Sequence, residues 1–158
     1  MITTLPPRAC ESTLSANFIG RLAYLGNNRP HVVPTTYFYD GQERTILCFA
    51  GSGHRVRAMR KAAQVSFQVD EIPSMQEWCS VQAHGSFREI GRDMAGTYLK
   101  RFARGVLETA ARRREEAPGF LSHFLSDLPE VEMPIVYAIE VQELTGKQKK
   151  PVPNLSST

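Results

Sequence analysis

Two segments in the middle of the chain alternate strictly between apolar and polar residues. They run from Gln64 to Asp70 and from Cys79 to Glu89, with apolar side chains at nearly every second position. A two-residue period is typical of a β-strand that has one buried face and one polar face. The polar positions of the second segment include Ser80, Gln82 and His84. We therefore expect these three side chains to lie on one face of a sheet.

Runs of β-branched and aromatic residues predict four more strands. Phe18–Gly26, His31–Asp40 and Arg44–Ala50 are separated by the turn signals Asn-Asn-Arg-Pro and Asp-Gly, which predicts an antiparallel meander of three strands. Pro134–Leu144 has strand character as well, and we expect the polar tail that follows it to fray.

Helical periodicity separates some of these strands. Between Gly53 and Ala63 apolar residues recur at helical spacing, whereas Arg57 and Lys61 fall on the opposite face. Asp93–Ala117 and Pro118–Leu128 are also helical in pattern. Six strands, with one helix between the third and fourth and more before the sixth, predict a small, mostly antiparallel barrel with helical additions.

Composition limits the class of protein. The chain has 158 residues, of which 42% are hydrophobic, enough for one domain with one core. A net charge of +3 is too weak for a dedicated nucleic-acid-binding protein but suits an anionic small ligand. No stretch approaches the roughly 20 apolar residues that span a bilayer, and the N-terminus has no signal-peptide pattern. Three cysteines without a close pair suit a reducing compartment, so we expect a soluble, cytoplasmic protein.

The junction between the third strand and the first helix has the composition of a phosphate site. Gly51 and Gly53 are expected to let the backbone turn tightly, and Ser52, His54 and Arg55 stand beside the unpaired N–H groups of the helix start. The alternative is that Ser52 is only a helix cap and the basic residues are solvated. A dinucleotide fingerprint is excluded because the third glycine of G-x-G-x-x-G is missing, and no P-loop motif is present.

Five segments in order resemble a known family. They are "GRLAYLG", "PHVVPTTYFYD", "LCFAGSGHRVRAMRKAAQVSFQVDEI", "EWCSVQAHGSF" and "IEVQELTGK". Together, from about Phe18 to Lys147, they are similar to the pyridoxamine 5′-phosphate oxidase-like FMN-binding split barrels, especially the flavin-binding branch related to nitroimidazole-resistance proteins. The resemblance implies a mainly β fold with helices, a six-stranded antiparallel split β-barrel, FMN as cofactor, and a homodimer with the cofactor site at its interface.

The resemblance also implies roles for three segments. In the family, the backbone of the second strand lies along the isoalloxazine ring, the loop after the third strand holds the phosphate, and a polar residue on the fifth strand closes the site. Carried over, these roles fall on Pro34, Thr35, Thr36 and Tyr37; on Phe49, Ala50, Gly51, Ser52, His54 and Arg55; and on Ser80.

Two departures from the family pattern bear on the substrate and on the phosphate contact. Arg55 stands where lysine is common, which keeps the charge and adds a fork for phosphate oxygens. The chain ends without the Arg-Leu-x-Pro type segment of the vitamin B6 oxidases, which argues against pyridoxamine phosphate as substrate. We expect a lead segment at residues 1–16, a split-barrel domain at 17–147 with a helical insertion at about 91–128, and a polar tail at 148–158.

The function expected from the resemblance is that of an FMN-dependent oxidoreductase acting on an unidentified small molecule. FMN carries the electron-transfer chemistry, so no catalytic residue is assigned. The alternatives are a flavin carrier or sensor without turnover, and a heme-binding or deazaflavin-binding split barrel. His84 shares the polar face with Ser80 and is a candidate contact to a substrate or a heme iron, or else only a structural residue. His31 and His123 have no companion ligands in the sequence, so no metal site is predicted.

Overall fold

The computed structural model describes residues 1–51 and 53–153. Its strands are β1 (Ile2–Thr4), β2 (Ile19–Gly26), β3 (Arg29–Thr36), β4 (Phe38–Asp40), β5 (Thr45–Ala50), β6 (Gln64–Ser74), β7 (Glu77–Glu89) and β8 (Ile135–Lys149). Its helices are α1 (Pro7–Ala16), α2 (His54–Lys61), α3 (Arg92–Arg113) and α4 (Leu121–Phe124), with a 3-10 turn at Glu130–Glu132.

The strands form one antiparallel sheet that curls into a split barrel. The hydrogen-bonded path runs β3-β2-β6-β7-β8-β5-β4, so β3 and β4 lie at its two ends although they are consecutive in the chain. Tyr37 joins them: its N–H donates to the Phe18 carbonyl at 2.9 Å, and its fully buried hydroxyl donates to the Leu14 carbonyl at 2.6 Å. The chain changes strand partner at this residue, which brings the two ends of the sheet together. The expected fold class is confirmed.

The predicted three-stranded meander is wrong in its third member. β3 pairs with β2, but β5 pairs with β4 and β8. His31–Asp40 reads as one strand in sequence, whereas the buried corner at Tyr37 divides it into β3 and β4. That division, together with the short strand β1, accounts for eight strands in the described residues where six were expected.

The last strand is longer than its sequence indicated. β8 continues past Leu144 to Lys149, and its final residues pair with β7 on one side and with β1 on the other. Leu5 also donates its N–H to the Gly146 carbonyl at 2.9 Å. Because these backbone groups are paired, the fraying expected directly after Leu144 is wrong as far as Lys149.

Two apolar cores hold the fold together. The barrel interior is filled by fully buried side chains that include Leu22, Phe67, Val69, Val81 and Ala83. A second core lies between α3 and the outer faces of β5 and β8, where Leu99, Phe102, Val106, Leu47, Val136 and Ala138 pack together. Strand β5 is therefore buried on both faces, which fixes the position of the loop that follows it.

The helical insertion is shorter than its pattern suggested. α3 ends at Arg113, and Arg114 follows in a left-handed conformation with φ of 56°. The second predicted helix, at residues 118–128, contains only the single turn α4. Both elements contribute apolar side chains to the second core, so the apolar pattern reflected burial more than helix length.

Candidate functional site

The predicted phosphate loop joins two firmly packed elements. Phe49, at the end of β5, packs its ring against Phe102 and Phe124 at centroid distances of 5.5 Å and 4.8 Å. Ala50 is buried in the barrel interior, as are Val56 and Met59 of α2. The loop between them is thus held at both ends. Ser52 lies outside the described residues, so its proposed phosphate contact stays a prediction.

The two loop glycines are not required by the backbone conformation. Neither adopts the left-handed backbone conformation that favours glycine, and Gly53, with φ of 174°, is in extended backbone that any residue adopts. A Cβ placed on Gly51 or Gly53 would meet no atom of the described residues beyond its chain neighbours within 4 Å. The tight turn expected here is therefore not the reason for either glycine. What both provide is open space over the backbone, which a ligand phosphate can approach.

Arg55 is a partly buried cation without a carboxylate partner. It is half-buried, and among residues 1–51 and 53–153 its side chain has no ion-pair or hydrogen-bond partner. Its charge lies near the Cys48 thiol and the Tyr137 hydroxyl, and it lowers the pKa of both groups. Partly buried charges are normally paired because desolvation is costly. An anionic ligand would supply the missing partner.

Cys48 and Tyr137 are neutral partners in this arrangement. Burial raises the pKa of the Cys48 thiol to about 12, so the thiol is protonated at neutral pH and is not a nucleophile. Burial also raises the pKa of Tyr137, whose buried hydroxyl lies beside the Cys48 thiol. Cys48 is thus a packing residue.

His54 connects the phosphate loop to the β2–β3 hairpin. Its ring is 5.2 Å from the ring of His31 in an edge contact, and His31 stacks on Tyr24 at 5.0 Å. A nitrogen of His31 also lies 3.1 Å from the Gly26 carbonyl oxygen. The fold therefore brings together two histidines that the sequence left apart. Even so, the described residues contain no group of three or more His, Cys, Asp or Glu side chains suited to a metal ion.

The predicted β3 segment divides between two faces. Thr35 and Tyr37 point into the barrel and are buried, whereas Pro34 is exposed and Thr36 is half-buried. Tyr37 has both its N–H and its hydroxyl engaged, so of its polar groups only the carbonyl has no assigned bond. Pro34 and Thr36 are the members of this segment whose side chains point away from the barrel interior.

The strand register places Pro34 and Ser80 on one polar surface. Pro34 pairs with Arg21, Arg21 with Gln68, and Gln68 with Gln82. Directly opposed residues share a face of the sheet, and Ser80 precedes Gln82 by two residues on the same strand. We call this surface the outer sheet face, with the members Arg21, Ala23, Val32, Pro34, Ser66, Gln68, Ser80, Gln82 and His84.

Hydrogen bonds fix the polar side chains of the outer sheet face. Gln68 donates from Nε2 to Ser80 Oγ at 2.9 Å and to Asp70 Oδ2 at 2.8 Å, and Arg21 pairs with Asp70 at 3.2 Å. His84 Nδ1 lies 2.7 Å from Ser66 Oγ. Ser80 is therefore one member of a connected network.

Sequence reasoning chose Ser80 from this network and missed Arg21 and Gln68. The alternation already put Gln68 on a polar face, but it did not show that β6 pairs with β2, so it did not show that this face includes Arg21. Arg21 stands in an apolar run, where its role depends on the register with Gln68.

The outer sheet face also contains a cavity. Its volume is about 260 Å³, and it is lined by Arg21, Ala23, Val32, Ser66, Gln68 and Gln82. The contact between His54 and His31 brings the phosphate loop to strand β3, the strand that also carries Pro34. His31 and Pro34 are three residues apart, so their side chains point to opposite faces of that strand.

Comparisons with known proteins agree with the fold. The model of the pyridoxamine 5′-phosphate oxidase family matches residues 6–148. A FAD-binding protein from Mesorhizobium loti is 25% identical, with a TM-score of 0.69 over 95% of this chain and 99% of that one. A Bacteroides thetaiotaomicron protein assigned to 5-nitroimidazole antibiotic resistance is 16% identical, with a TM-score of 0.64 over 94% and 87% of the two chains. A FAD and heme binding protein from Mycobacterium smegmatis is 15% identical, with a TM-score of 0.67 over 97% and 75%.

Within the described ranges no helix is both long enough and apolar enough to cross a bilayer.

Proposed function

Because this chain belongs to the pyridoxamine 5′-phosphate oxidase family, we propose that it binds FMN and acts as an FMN-dependent oxidoreductase on a small molecule. The observation that carries the proposal is Arg55, a half-buried cation without a partner in the described residues, beside the open backbone of Gly51 and Gly53. A phosphate monoester supplies the charge and the hydrogen-bond acceptors that this loop lacks.

Each part of the site has a distinct task in this proposal. Arg55 and His54 bind the phosphate, and the backbone of Gly51 and Gly53 approaches it closely. The edge of β3 at Pro34 to Thr36 and the Ser80 network orient the ring. FMN, when bound, supplies the electron-transfer chemistry. The protein orients the cofactor and selects what reaches it.

The spectrum of the purified protein tests this function. We expect a flavin absorption band near ~450 nm, release of FMN on denaturation, and bleaching of the band when NADH or NADPH is added without oxygen. A nitroaromatic compound or a quinone should then restore the band faster than it does with free FMN. If the flavin binds but no nicotinamide donor reduces it, the protein is a flavin carrier or sensor and not an oxidoreductase.

A heme-binding protein is the second candidate, and the same spectrum separates the two. It draws support from the similar fold of the Mycobacterium smegmatis protein described as binding FAD and heme, and from His84 on the outer sheet face. Both ring nitrogens of His84 already have neighbours, however, with Ser66 Oγ at 2.7 Å and Gln82 Nε2 at 3.3 Å. A histidine that ligates iron would have to give up one of them. An intense Soret band near ~410 nm instead of the flavin band would favour heme.

We also propose that the outer sheet face is the homodimer interface. Three apolar side chains on this side of β2 and β3 are exposed: Ile19 by 51%, Leu25 by 51% and Val32 by 66%. Val32 lines the cavity at Ser66 and Gln68, and Ile19 and Leu25 lie on the same face of β2 as Arg21 and Ala23. Covering them with a second copy would close the cavity and complete the cofactor site with residues from both chains.

We expect the protein to sediment as a dimer at micromolar concentration, since a stable interface buries more than ~1,000 Å² in total. Val32→Asp should shift it toward monomer because a carboxylate that replaces an apolar side chain is costly to desolvate when the interface forms. The matched control is Val131→Asp, because Val131 is 95% exposed in the turn at Glu130–Glu132. A monomer with flavin bound, or equal effects of the two substitutions, would contradict this interface.

A further inference from the structure

A second basic site lies on the other side of His54. A cavity of about 330 Å³ separates the β2–β3 turn from α2, and its wall includes His54, Arg57 and Lys61 together with Asn27 and Asn28. Its size is at the lower end of the range of small-molecule sites. None of the residues that line it is acidic.

The two cations in this wall are not neutralised by the protein. Among the described residues, neither Arg57 nor Lys61 has an ion-pair or hydrogen-bond partner. Arg60, on the same helix, makes two bonds to Glu89, at 2.9 Å and 2.7 Å. Arg57 and Lys61 are four residues apart on α2, so their like charges repel each other slightly, and a bound anion would remove that repulsion.

The opposite wall is preformed by the hairpin turn. Asn27 and Asn28 both adopt left-handed conformations, with φ of 54° and 59°, as the central residues of a type I′ turn do. Their side chains are exposed and offer amide donors. A Cβ on Gly26 would lie 2.8 Å from Nε2 of His54, so the glycine permits the helix and the turn to come this close.

We propose that this cavity binds the phosphate of an adenosine phosphate, at a site separate from the FMN phosphate loop. Arg57 and Lys61 bind the phosphate oxygens, with the asparagine amides as further donors. The apolar part of the wall, Leu25, Ala58 and Ala62, contacts the organic part of the ligand. His54 belongs to both sites, so the two phosphates are neighbours, as they are in a dinucleotide.

Two ligands share this chemistry. One is the outer half of FAD, in which case the cofactor extends from the phosphate loop into the cavity. The other is a separate adenosine phosphate, such as the adenylate part of a nicotinamide reductant. The first source rests on the proposed flavin site, whereas the second does not.

The test titrates the full-length protein with ADP, FMN and FAD and compares three proteins: wild type, the double variant Arg57→Ala/Lys61→Ala, and Arg60→Ala as the control on the same helix. We expect the double variant to lose about tenfold or more in ADP affinity, because two charged hydrogen-bond partners are removed. Its FMN affinity should be unchanged, and Arg60→Ala should change none of the three. Thermal unfolding of each variant checks that the fold is retained.

The FMN and FAD titrations identify which ligand carries the bound phosphate. If wild type binds FAD more tightly than FMN, and the double variant loses that difference, the phosphate belongs to the cofactor. If ADP binds to the FMN-loaded protein and FAD has no advantage over FMN, the phosphate belongs to a separate ligand. The proposal is overturned if the double variant binds ADP and FAD with the same affinity as wild type. It is also overturned if Arg60→Ala weakens ADP binding as much as the double variant does. FMN binding is read separately in the same titrations, so failure of the flavin site is distinguishable from failure of this one.

Discussion

Replacing Arg55 by alanine is expected to weaken FMN binding by roughly ten- to a hundred-fold and to leave riboflavin binding nearly unchanged. A hydrogen bond to a charged group contributes about 1.5 to 3 kcal/mol, which corresponds to that range of affinity. Arg55 is half-buried and has no partner in the described residues, so the guanidinium is available for two parallel bonds to phosphate oxygens. Riboflavin lacks the phosphate and therefore lacks this contact.

Fluorescence titration of the Arg55→Ala and Arg57→Ala variants with FMN and with riboflavin measures the change in affinity. Arg57→Ala is the control for FMN, because Arg57 lines the cavity beyond His54 and not the predicted phosphate loop. Arg55→Lys should retain part of the affinity, since it keeps the charge but loses the fork. Equal losses of FMN and riboflavin affinity in Arg55→Ala, or a larger FMN loss in Arg57→Ala, would show that the loop is only a helix start.

Replacing Phe102 by alanine is expected to lower the free energy of unfolding by about 3 to 5 kcal/mol, the usual cost of deleting a buried aromatic ring. Phe102 is fully buried in the second core and packs edge-on against Phe49 at 5.5 Å. Phe49 ends the strand that leads into the phosphate loop, so the cavity would open directly under that loop. FMN affinity should therefore fall as well, although less than in Arg55→Ala.

Urea unfolding at one fixed protein concentration measures the loss, because the proposed dimerisation would make apparent stability depend on concentration. Phe120→Ala is the matched control: Phe120 belongs to the same aromatic cluster, 5.1 Å from Phe49, but is 38% exposed. Phe120→Ala should lower the free energy of unfolding much less than Phe102→Ala does. Similar losses for the two substitutions would mean that α3 is not the element that supports β5.

The sequence by itself determined the local features of this protein. The two-residue alternation in Gln64–Asp70 and Cys79–Glu89 predicted which side chains share the polar face, because in any extended strand neighbouring side chains point to opposite sides. Helical spacing located α2, and glycine beside positive charge located the loop before it. The ordered segments also identified the family and the fold class. Each of these signals depends on residues that are close together in sequence, so it does not depend on the tertiary contacts of the rest of the chain.

The tertiary structure alone decided which strands meet and which surfaces face each other. A run such as His31–Asp40 has the same local pattern whether it is one strand or two, and only burial of Tyr37 against Leu14 and Phe18 divides it. The outer sheet face places Pro34, Arg21 and Gln68 side by side only because of the register between β3, β2 and β6, and β6 is far from the other two strands in sequence. Arg57 and Lys61 read as a solvated helix face, yet the β2–β3 turn folds against α2 and makes that face the wall of a cavity. Periodicity records which side of an element is apolar, but the partner of each side is selected by packing of the whole chain.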